Sequence, residues 1–253
     1  MTIDELQGSL NYALRKCFTD ARYKLQAPIT VQSNDLTSSD SDMRAQLVTA
    51  AIAHVPFDGW SHETLSLAAA ECGLSDTQWH DYFPGGLDEV VELYGALADD
   101  KMVSAYHEMD QVPTPTHLKV RTLILLRLHQ ARGHSETVRR SLGFLAQPQH
   151  AALATKMLYR TVDAIWRAAG DTTTDYNFYT KRATLAAVYS ATMLAFLADD
   201  TDDLAKTEAF LDRRLKDVSR IPKMAKPAQV FVTGLASVVS RATGMMGRRP
   251  FRW

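Results

Sequence analysis

The chain has 253 residues and a formal net charge of −1, with 46% hydrophobic and 23% charged residues. This balance excludes a largely disordered protein, and the low content of helix breakers (12 Gly and 9 Pro) predicts a mostly α-helical fold. The two cysteines, Cys17 and Cys72, lie far apart without CxxC spacing. A disulfide framework is therefore excluded, and a reducing compartment is expected.

Charge is sorted along the sequence. Residues Ala45–Asp100 contain no Lys or Arg but ten acidic residues, which are Asp58, Glu63, Glu71, Asp76, Asp81, Asp88, Glu89, Glu92, Asp99 and Asp100. Residues Val218–Trp253 contain seven basic residues and no acid. We interpret the isolated carboxylates as surface charges, and the basic end of the chain predicts an anionic partner.

The N-terminal region carries no clear targeting signal. Met1–Gly8 lacks the basic start and apolar core of a secretory signal. Residues 10–26 form a basic amphipathic stretch similar to a mitochondrial transit peptide, although the early acids and Asp20 count against that interpretation. Residues 33–42 are polar and predict a flexible boundary. No run of 18 apolar residues occurs, so no transmembrane helix is expected.

The first helices are short and punctuated by turn residues. Arg44–His54 is predicted as a helix that Pro56 ends, and Ser61 is the predicted cap of a second helix that runs to Glu71. The pair Ser75 and Gln78 has capping-box spacing and predicts a short third helix before Pro84-Gly85-Gly86. Longer helices are then predicted at Leu87–Met109, Thr116–Arg132, Ser135–Ala146, Gln149–Ala169, Asp175–Ala198 and Asp203–Arg220.

This pattern predicts an all-α protein with a helix-turn-helix head before a helical bundle, which resembles TetR-type repressors. The predicted domains are an extension (1–42), the head (43–86), the bundle (87–220) and a hinge with an amphipathic helix (221–253). The candidate recognition segment Ser75–Phe83 carries Asp76 and Asp81 but no basic residue. Because DNA affinity depends on Lys and Arg contacts to phosphates, the head disfavours DNA binding.

The sequence contains no catalytic or metal-binding motif that we recognise. The eight histidines form neither HExxH nor Glu-x-x-His, and GxGxxG, GxxxxGK[ST] and GxSxG are absent. We therefore expect neither an enzyme nor a metal or cofactor.

The last segment has the pattern of an interfacial helix. Apolar residues recur at spacings of three and four, and basic residues flank them. The predicted membrane-binding residues are Phe231, Leu235, Val238, Val239, Met245, Met246, Arg241, Arg248 and Arg249. The alternative is a last helix that packs on the bundle or on a second subunit. Membrane binding is favoured because Lys223–Pro227 resembles a hinge and the flanks are purely positive.

One stretch supports a specific family resemblance. The segment Trp166–Arg182, with the sequence WRAAGDTTTDYNFYTKR, continues through Leu185–Tyr189. It resembles the signature of the coenzyme Q biosynthesis accessory-protein family, the ninth component of that pathway. The turn Val55–Trp60 resembles the bacterial branch of the family, and the resemblance covers about Arg44–Arg249.

The resemblance implies a non-enzymatic, TetR-like homodimer that binds isoprenoid quinone intermediates, or phospholipid, in its bundle. It further implies that the last helix lies on an anionic membrane and that the substrate is presented to the di-iron demethoxyubiquinone hydroxylase. The expected location is the cytoplasmic face of a bacterial inner membrane, or alternatively the matrix side of the mitochondrial inner membrane. The main rival is a TetR-type transcriptional regulator with a small-molecule pocket.

Individual residues follow from the same resemblance. The candidate lipid-binding residues are Met157, Leu158, Val162, Ile165, Trp166, Leu185, Tyr189 and Met193. The candidate partner-docking residues are Asp175, Tyr176, Asn177, Phe178, Tyr179 and Arg182. Some lipid candidates are expected to be ordinary core. Successive residues of a helix point about 100° apart, so at least one docking aromatic should be exposed, and the resemblance selects Phe178.

Overall fold

The structure is a computed structural model that describes residues 36–171 and 176–220, and this part of the chain contains helices and no strand. The α-helices are α1 (Leu36–Asp58), α2 (His62–Glu71), α3 (Trp79–Tyr82), α4 (Leu87–His107), α5 (Thr116–Ala131), α6 (Ser135–Leu145), α7 (Ala151–Ala168), α8 (Tyr176–Leu197) and α9 (Ala205–Arg220). Short 3-10 turns lie at Arg132–His134 and Pro148–His150. The all-α prediction is confirmed.

Helix α1 is longer than predicted at both ends. It begins at Leu36 and passes through Pro56 to Asp58, so the predicted flexible boundary overlaps a helix and the predicted domain start at residue 43 falls within α1. Pro56 has no N–H to donate to the Ile52 carbonyl. The Thr137 hydroxyl donates to that carbonyl instead, at 3.4 Å, which lets the helix continue for one further turn.

The predicted caps of the next helices are present. The Ser61 hydroxyl accepts from the Thr64 N–H at 3.1 Å, and Gly73 has a φ of +76°, a left-handed conformation that suits glycine. The Gln78 side chain accepts from the Ser75 N–H at 2.7 Å, which is half of the predicted capping box. Helix α3 nevertheless begins only at Trp79 and has 4 residues.

The described residues fall into two compact units, with the division after Asp171. The apolar core of the first unit combines head residues such as Trp79 and Phe83 with Val90 and Val91 of α4. The head is therefore not a separate core, and the predicted domain boundary at residue 86 lies inside one packed unit.

The head is also hydrogen-bonded to the helices that follow it. The Trp60 indole N–H donates to the Ser141 hydroxyl of α6 at 2.9 Å. The Trp60 and Tyr94 rings lie 5.4 Å apart.

In the second unit, α8 packs on α9, and Asp199 begins the connection between them. The Asp199 carboxylate accepts hydrogen bonds from the hydroxyls and N–H groups of Thr201 and Thr207. This carboxylate fixes the turn that leads into α9. None of the described helices is long and apolar enough to cross a membrane.

Candidate functional site

The residues that carry the family resemblance begin at the end of α7. The Asp171 N–H donates to the Trp166 carbonyl and the Gly170 N–H donates to the Arg167 carbonyl, both at 2.9 Å. This is the Schellman arrangement, and Gly170 takes the left-handed φ of +86° that it requires. Sequence and backbone geometry therefore agree that α7 ends here, directly before the docking candidates.

Helix α8 begins with the docking candidates. Tyr176 and Asn177 form its start, whereas Asp175 lies outside the described residues. Tyr179 is 69% exposed. Phe178 is half-buried, and its ring meets the Tyr179 ring edge-on at 5.2 Å. The expectation of an exposed aromatic is confirmed, but among the described side chains the exposed ring is that of Tyr179.

Two docking candidates, Phe178 and Arg182, pack against each other. Arg182 is only 4% exposed, and its guanidinium carbon lies 3.4 Å from the centre of the Phe178 ring. One turn of helix separates the two residues, so Arg182 stacks beneath Phe178 and cannot be part of an open surface. Arg182 is therefore a supporting residue, and Phe178 is held by it.

The lipid-binding candidates of α7 differ in exposure. Val162 and Ile165 are 1% and 0% exposed, so both are core residues and neither lines an open cavity. A Cβ on Gly95 would lie 2.6 Å from the Met157 terminal carbon, which places Met157 between α7 and α4. Leu158 and Trp166 keep exposed area.

The candidates in the second unit are Leu185, Tyr189 and Met193, and all three are buried. Because ordinary core residues are buried as well, burial does not distinguish a lipid-binding residue from a core residue. Their role in lipid binding stays a prediction.

Sequence reasoning missed a buried charge. A surface position is expected for Asp99, but this residue is 2% exposed. Its carboxylate accepts from the Thr161 hydroxyl at 2.9 and 3.0 Å, from Arg127 Nε at 3.2 Å and from Arg160 Nε at 3.4 Å. The signal was present, because Asp99 continues the spacing of Val91 and Gly95 on the buried stripe of α4.

The other acids of Ala45–Asp100 divide into two groups. Three of those in α4 lie beside bases from outside this stretch: Asp88 with His150, Glu89 with Arg44, and Glu92 with Lys156 and Arg160. Asp100, also in α4, is exposed. The second group consists of Asp58, Glu63, Glu71, Asp76 and Asp81, which are exposed and which we call the acidic face. Within the described residues, no Lys or Arg pairs with this face.

Two side chains of the acidic face, Glu63 and Glu71, make local contacts. Hydrogen bonds to Glu63 from its own backbone N–H and from the Ser61 side chain lower the pKa of this carboxyl. Glu71 lies 2.7 Å from the His54 ring nitrogen. The exposed acids of the head therefore lie at the end of α1, in α2, in α3 and in the connection between α2 and α3.

The predicted membrane helix, from Phe231 to Arg249, lies outside the described residues, as does the hinge Lys223–Pro227. Its role stays a prediction. In the described part of the chain, no group of three or more His, Cys, Asp or Glu residues could hold a metal ion.

Comparison with known proteins identifies the family. A family model described as COQ9 matches residues 151–222, which include α7, the start of α8 and its aromatic pair. The ubiquinone biosynthesis protein COQ9 of Rattus norvegicus, described as mitochondrial, is 30% identical over 217 residues, which are 83% of this chain and 67% of the relative. The chain belongs to the COQ9 family.

Other relatives agree with this assignment. The Homo sapiens COQ9 protein is also 30% identical over 217 residues, covering 83% of this chain and 66% of its own length. The Xenopus laevis COQ9-A protein is 26% identical and covers 97% of this chain and 80% of its own length. The chain thus spans about two thirds of the length of its rat and human COQ9 relatives.

The fold has a counterpart among solved structures. A TetR transcriptional regulator from Nitrosomonas europaea superposes with a TM-score of 0.56 at 20% sequence identity, covering 70% of this chain and 98% of the regulator. This confirms the TetR-like fold that the sequence predicts for the COQ9-family chain.

Proposed function

We propose that this COQ9-family chain is an accessory protein of ubiquinone biosynthesis and not an enzyme. It binds isoprenoid quinone intermediates, lies on an anionic membrane surface through its last helix and presents the lipid to the di-iron demethoxyubiquinone hydroxylase. We further propose that it acts as a homodimer. Family membership supports the pathway, since the rat and human relatives are named as ubiquinone biosynthesis proteins.

The exposed ring of Tyr179 is the observation that carries the docking part of this proposal. It lies in the segment that the COQ9 family model matches, and 69% of its surface is exposed. An exposed aromatic on a rigid helix is a typical binding anchor, because it buries a large area at a small cost in side-chain entropy. The Phe178 ring, on which Arg182 stacks, contacts the Tyr179 ring edge-on at 5.2 Å between ring centres.

The proposed lipid contacts in α7 are Leu158 and Trp166, and Leu185, Tyr189 and Met193 of the second unit stay candidates. Leu158 and Trp166 combine apolar surface with partial exposure, so they are the candidates that a bound isoprenoid chain could touch without repacking of α7. Mass spectrometry of lipids carried through purification tests this directly. We expect a stoichiometric isoprenoid quinone or phospholipid, and a chain that carries no lipid above the level of an unrelated helical protein would contradict lipid binding.

A pull-down with the purified hydroxylase, together with quinone profiling of cells, tests presentation. Cells that lack the chain should accumulate the demethoxy intermediate, and the wild-type chain should reverse this. A wild-type chain that binds lipid but neither binds the hydroxylase nor reverses the accumulation would contradict the presentation role.

A DNA-binding regulator is the second candidate, because the fold resembles a TetR regulator. Against it stand the acidic face and the four-residue helix α3, whose Trp79 is buried and which exposes His80 and Asp81. An approaching duplex would meet carboxylates at the position of a recognition helix. Saturable, sequence-specific duplex binding below micromolar concentration, lost on substitution within Ser75–Phe83, would support the regulator instead.

The proposed location is a membrane surface, either the cytoplasmic face of a bacterial inner membrane or the matrix side of the mitochondrial inner membrane. The rat and human relatives are described as mitochondrial, which favours the mitochondrial alternative. Fractionation of the source cells, with the chain detected in the carbonate-extractable membrane fraction, tests this assignment.

A further inference from the structure

The head exposes a pair of apolar side chains inside the acidic face. Phe57, near the end of α1, is 78% exposed, and Leu67, in the middle of α2, is 47% exposed. His54 and Glu71 join the two helices at 2.7 Å. Phe57 lies about one turn after His54, and Leu67 lies about one turn before Glu71. The two apolar side chains therefore lie on the same side of the helix pair. We call Phe57 and Leu67 the apolar pair.

Acidic side chains surround the apolar pair. Asp58 follows Phe57 directly, and Glu63 and Glu71 lie four residues to either side of Leu67, on the same helix face. The turn between the helices is fixed, because the Thr64 hydroxyl donates to the Gly59 carbonyl at 2.8 Å. The head thus presents two apolar side chains on a rigid support with carboxylates around them, which suits a basic amphipathic segment.

We propose that residues 10–26 of this chain, which lie outside the described residues, cover the apolar pair. Leu10, Leu14, Cys17, Ala21 and Leu25 recur at spacings of three and four, so a helix would carry them as one apolar stripe. The same segment contains Arg15, Lys16, Arg22 and Lys24 against one acid, Asp20. Its charge is opposite to that of the acidic face, and its stripe matches the apolar pair.

The connecting chain is long enough for this contact. From Leu36 to Phe57 the axis of α1 is about 32 Å long at 1.5 Å per residue. Residues 18–26 span about 12 Å as a helix, so the connection must bridge about 20 Å. Residues 27–35 extend to about 30 Å at most. Phe18 and Leu14 can therefore reach the apolar pair within one chain.

The experiment measures the reactivity of a cysteine placed at the apolar pair. Leu67→Cys is introduced into the full chain with Cys17→Ser and Cys72→Ser, and its reaction rate with N-ethylmaleimide is compared with that of the same variant lacking residues 1–35. A tethered segment has an effective concentration of roughly 1 mM. With a dissociation constant of roughly 0.1 mM it leaves about a tenth of the sites open, so we expect about tenfold slower labelling in the full chain.

A matched control and a charge reversal make the result specific. Val112→Cys, in the same compact unit and 44% exposed against 47% for Leu67, should react equally fast in both chains. Arg15→Glu with Lys16→Glu should raise the labelling rate of the Leu67→Cys variant to that of the shortened chain. Adding Asp58→Lys and Glu71→Lys to this variant should slow its labelling again, because the two charges are then opposite once more. Both lysines would lie near helix C-termini, which tolerate positive charge.

Several outcomes would overturn the proposal. Equal labelling rates of the Leu67→Cys variant with and without residues 1–35 would show that the segment does not cover the apolar pair. If labelling of the Leu67→Cys variant became faster only on removal of residues 221–253, the basic C-terminal segment would be the one that covers the apolar pair. Protection that disappears on dilution would indicate a second copy. If Leu67→Cys fails to fold, Phe57→Cys gives the same measurement.

Discussion

The guanidinium carbon of Arg182 lies 3.4 Å from the centre of the Phe178 ring, and the centre of the exposed Tyr179 ring lies 5.2 Å from that of Phe178. Arg182 also donates to the Phe178 carbonyl at 3.5 Å. Phe178 and Arg182 are therefore packed against each other while Tyr179 remains open. This division of roles determines which substitution tests docking and which tests folding.

We expect Tyr179→Ala to weaken hydroxylase binding without loss of stability. Truncation of a central aromatic anchor costs about 2 kcal/mol of binding or more, whereas a surface substitution changes the free energy of unfolding by about 0.5 kcal/mol at most. Pull-down and thermal melting measure the two effects. Tyr159→Ala, an equally simple change at a tyrosine that is 49% exposed on α7, is the matched control. If Tyr179→Ala and Tyr159→Ala bound the hydroxylase equally well, Tyr179 would not be part of the docking surface.

Phe178→Ala should instead destabilise the chain. It removes the ring on which the buried Arg182 guanidinium stacks, and a desolvated cation–π contact contributes about 2 kcal/mol. Urea unfolding of Phe178→Ala and Phe178→Leu separates packing from the aromatic contribution, because leucine keeps most of the apolar volume. An unchanged unfolding midpoint in both variants would show that Phe178 does not contribute to stability and behaves as a surface residue.

We expect Asp99→Asn to destabilise the first unit strongly. Breaking a buried ion pair by removing one partner costs about 3–5 kcal/mol, because the remaining charge stays buried, and Arg127 is itself buried. Thr161→Val removes only a hydroxyl donor and should cost about 1 kcal/mol. Urea unfolding at pH 7 gives both values, with Asp76→Asn on the exposed acidic face as the control. A cost for Asp99→Asn no larger than that of the control would mean that the network does not stabilise the unit.

Asp199 should make the stability of the chain depend on acid pH. Burial alone would raise the pKa of this carboxyl, but hydrogen bonds from the side chains and N–H groups of Thr201 and Thr207 outweigh it and lower the pKa to about 2. A lowered pKa in the folded state stabilises the protein above the ordinary value of 3.8. This stabilisation is lost as the pH falls from about 4 to about 2.

One pKa unit corresponds to about 1.36 kcal/mol. Because Asp199 is partly exposed to solvent, we expect its stabilisation of the folded state to be reduced to about 1–2 kcal/mol. Asp199→Asn should lower the unfolding free energy at pH 7 by this amount and flatten its pH dependence below pH 4. Asp217→Asn, which removes an exposed pair with Arg214, is the control and should change it by less than about 0.5 kcal/mol. A wild-type pH profile in Asp199→Asn would contradict the assignment.

Removal of residues 227–253 should abolish flotation with anionic liposomes and leave the helical content of the described residues intact. Each basic residue near an anionic surface contributes about 1 kcal/mol, so Arg248→Gln with Arg249→Gln should weaken partitioning about 30-fold. Neutral vesicles are the control, since this charge-dependent loss should vanish there. Unfolding or loss of a dimer on truncation would instead make the segment a structural helix.

The helices were predictable because their signals are local. Ser61, Gly73 and Gly170 act within one turn of their own positions, so the ends of α2 and α7 could be assigned from sequence. The end of α1 could not, because it depends on the Thr137 hydroxyl, 85 residues away. The domain boundary predicted at residue 86 stays a prediction; Val90 and Val91, just beyond it, pack in the same core as Trp79 and Phe83.

The same distinction applies to the candidate site. The pattern of residues 166–182 by itself determined the family resemblance, and the 3.6-residue period required one aromatic of the first α8 turn to be exposed. The structure shows that this residue is Tyr179 among the described side chains, because Phe178 is half-buried and carries the Arg182 guanidinium one helical turn away. Packing likewise decided that Asp99 is buried while Asp76 and Asp81 are exposed. Sequence determines charge and period, whereas the bases that neutralise the buried Asp99 carboxylate, which are Arg127 and Arg160, come from distant parts of the chain.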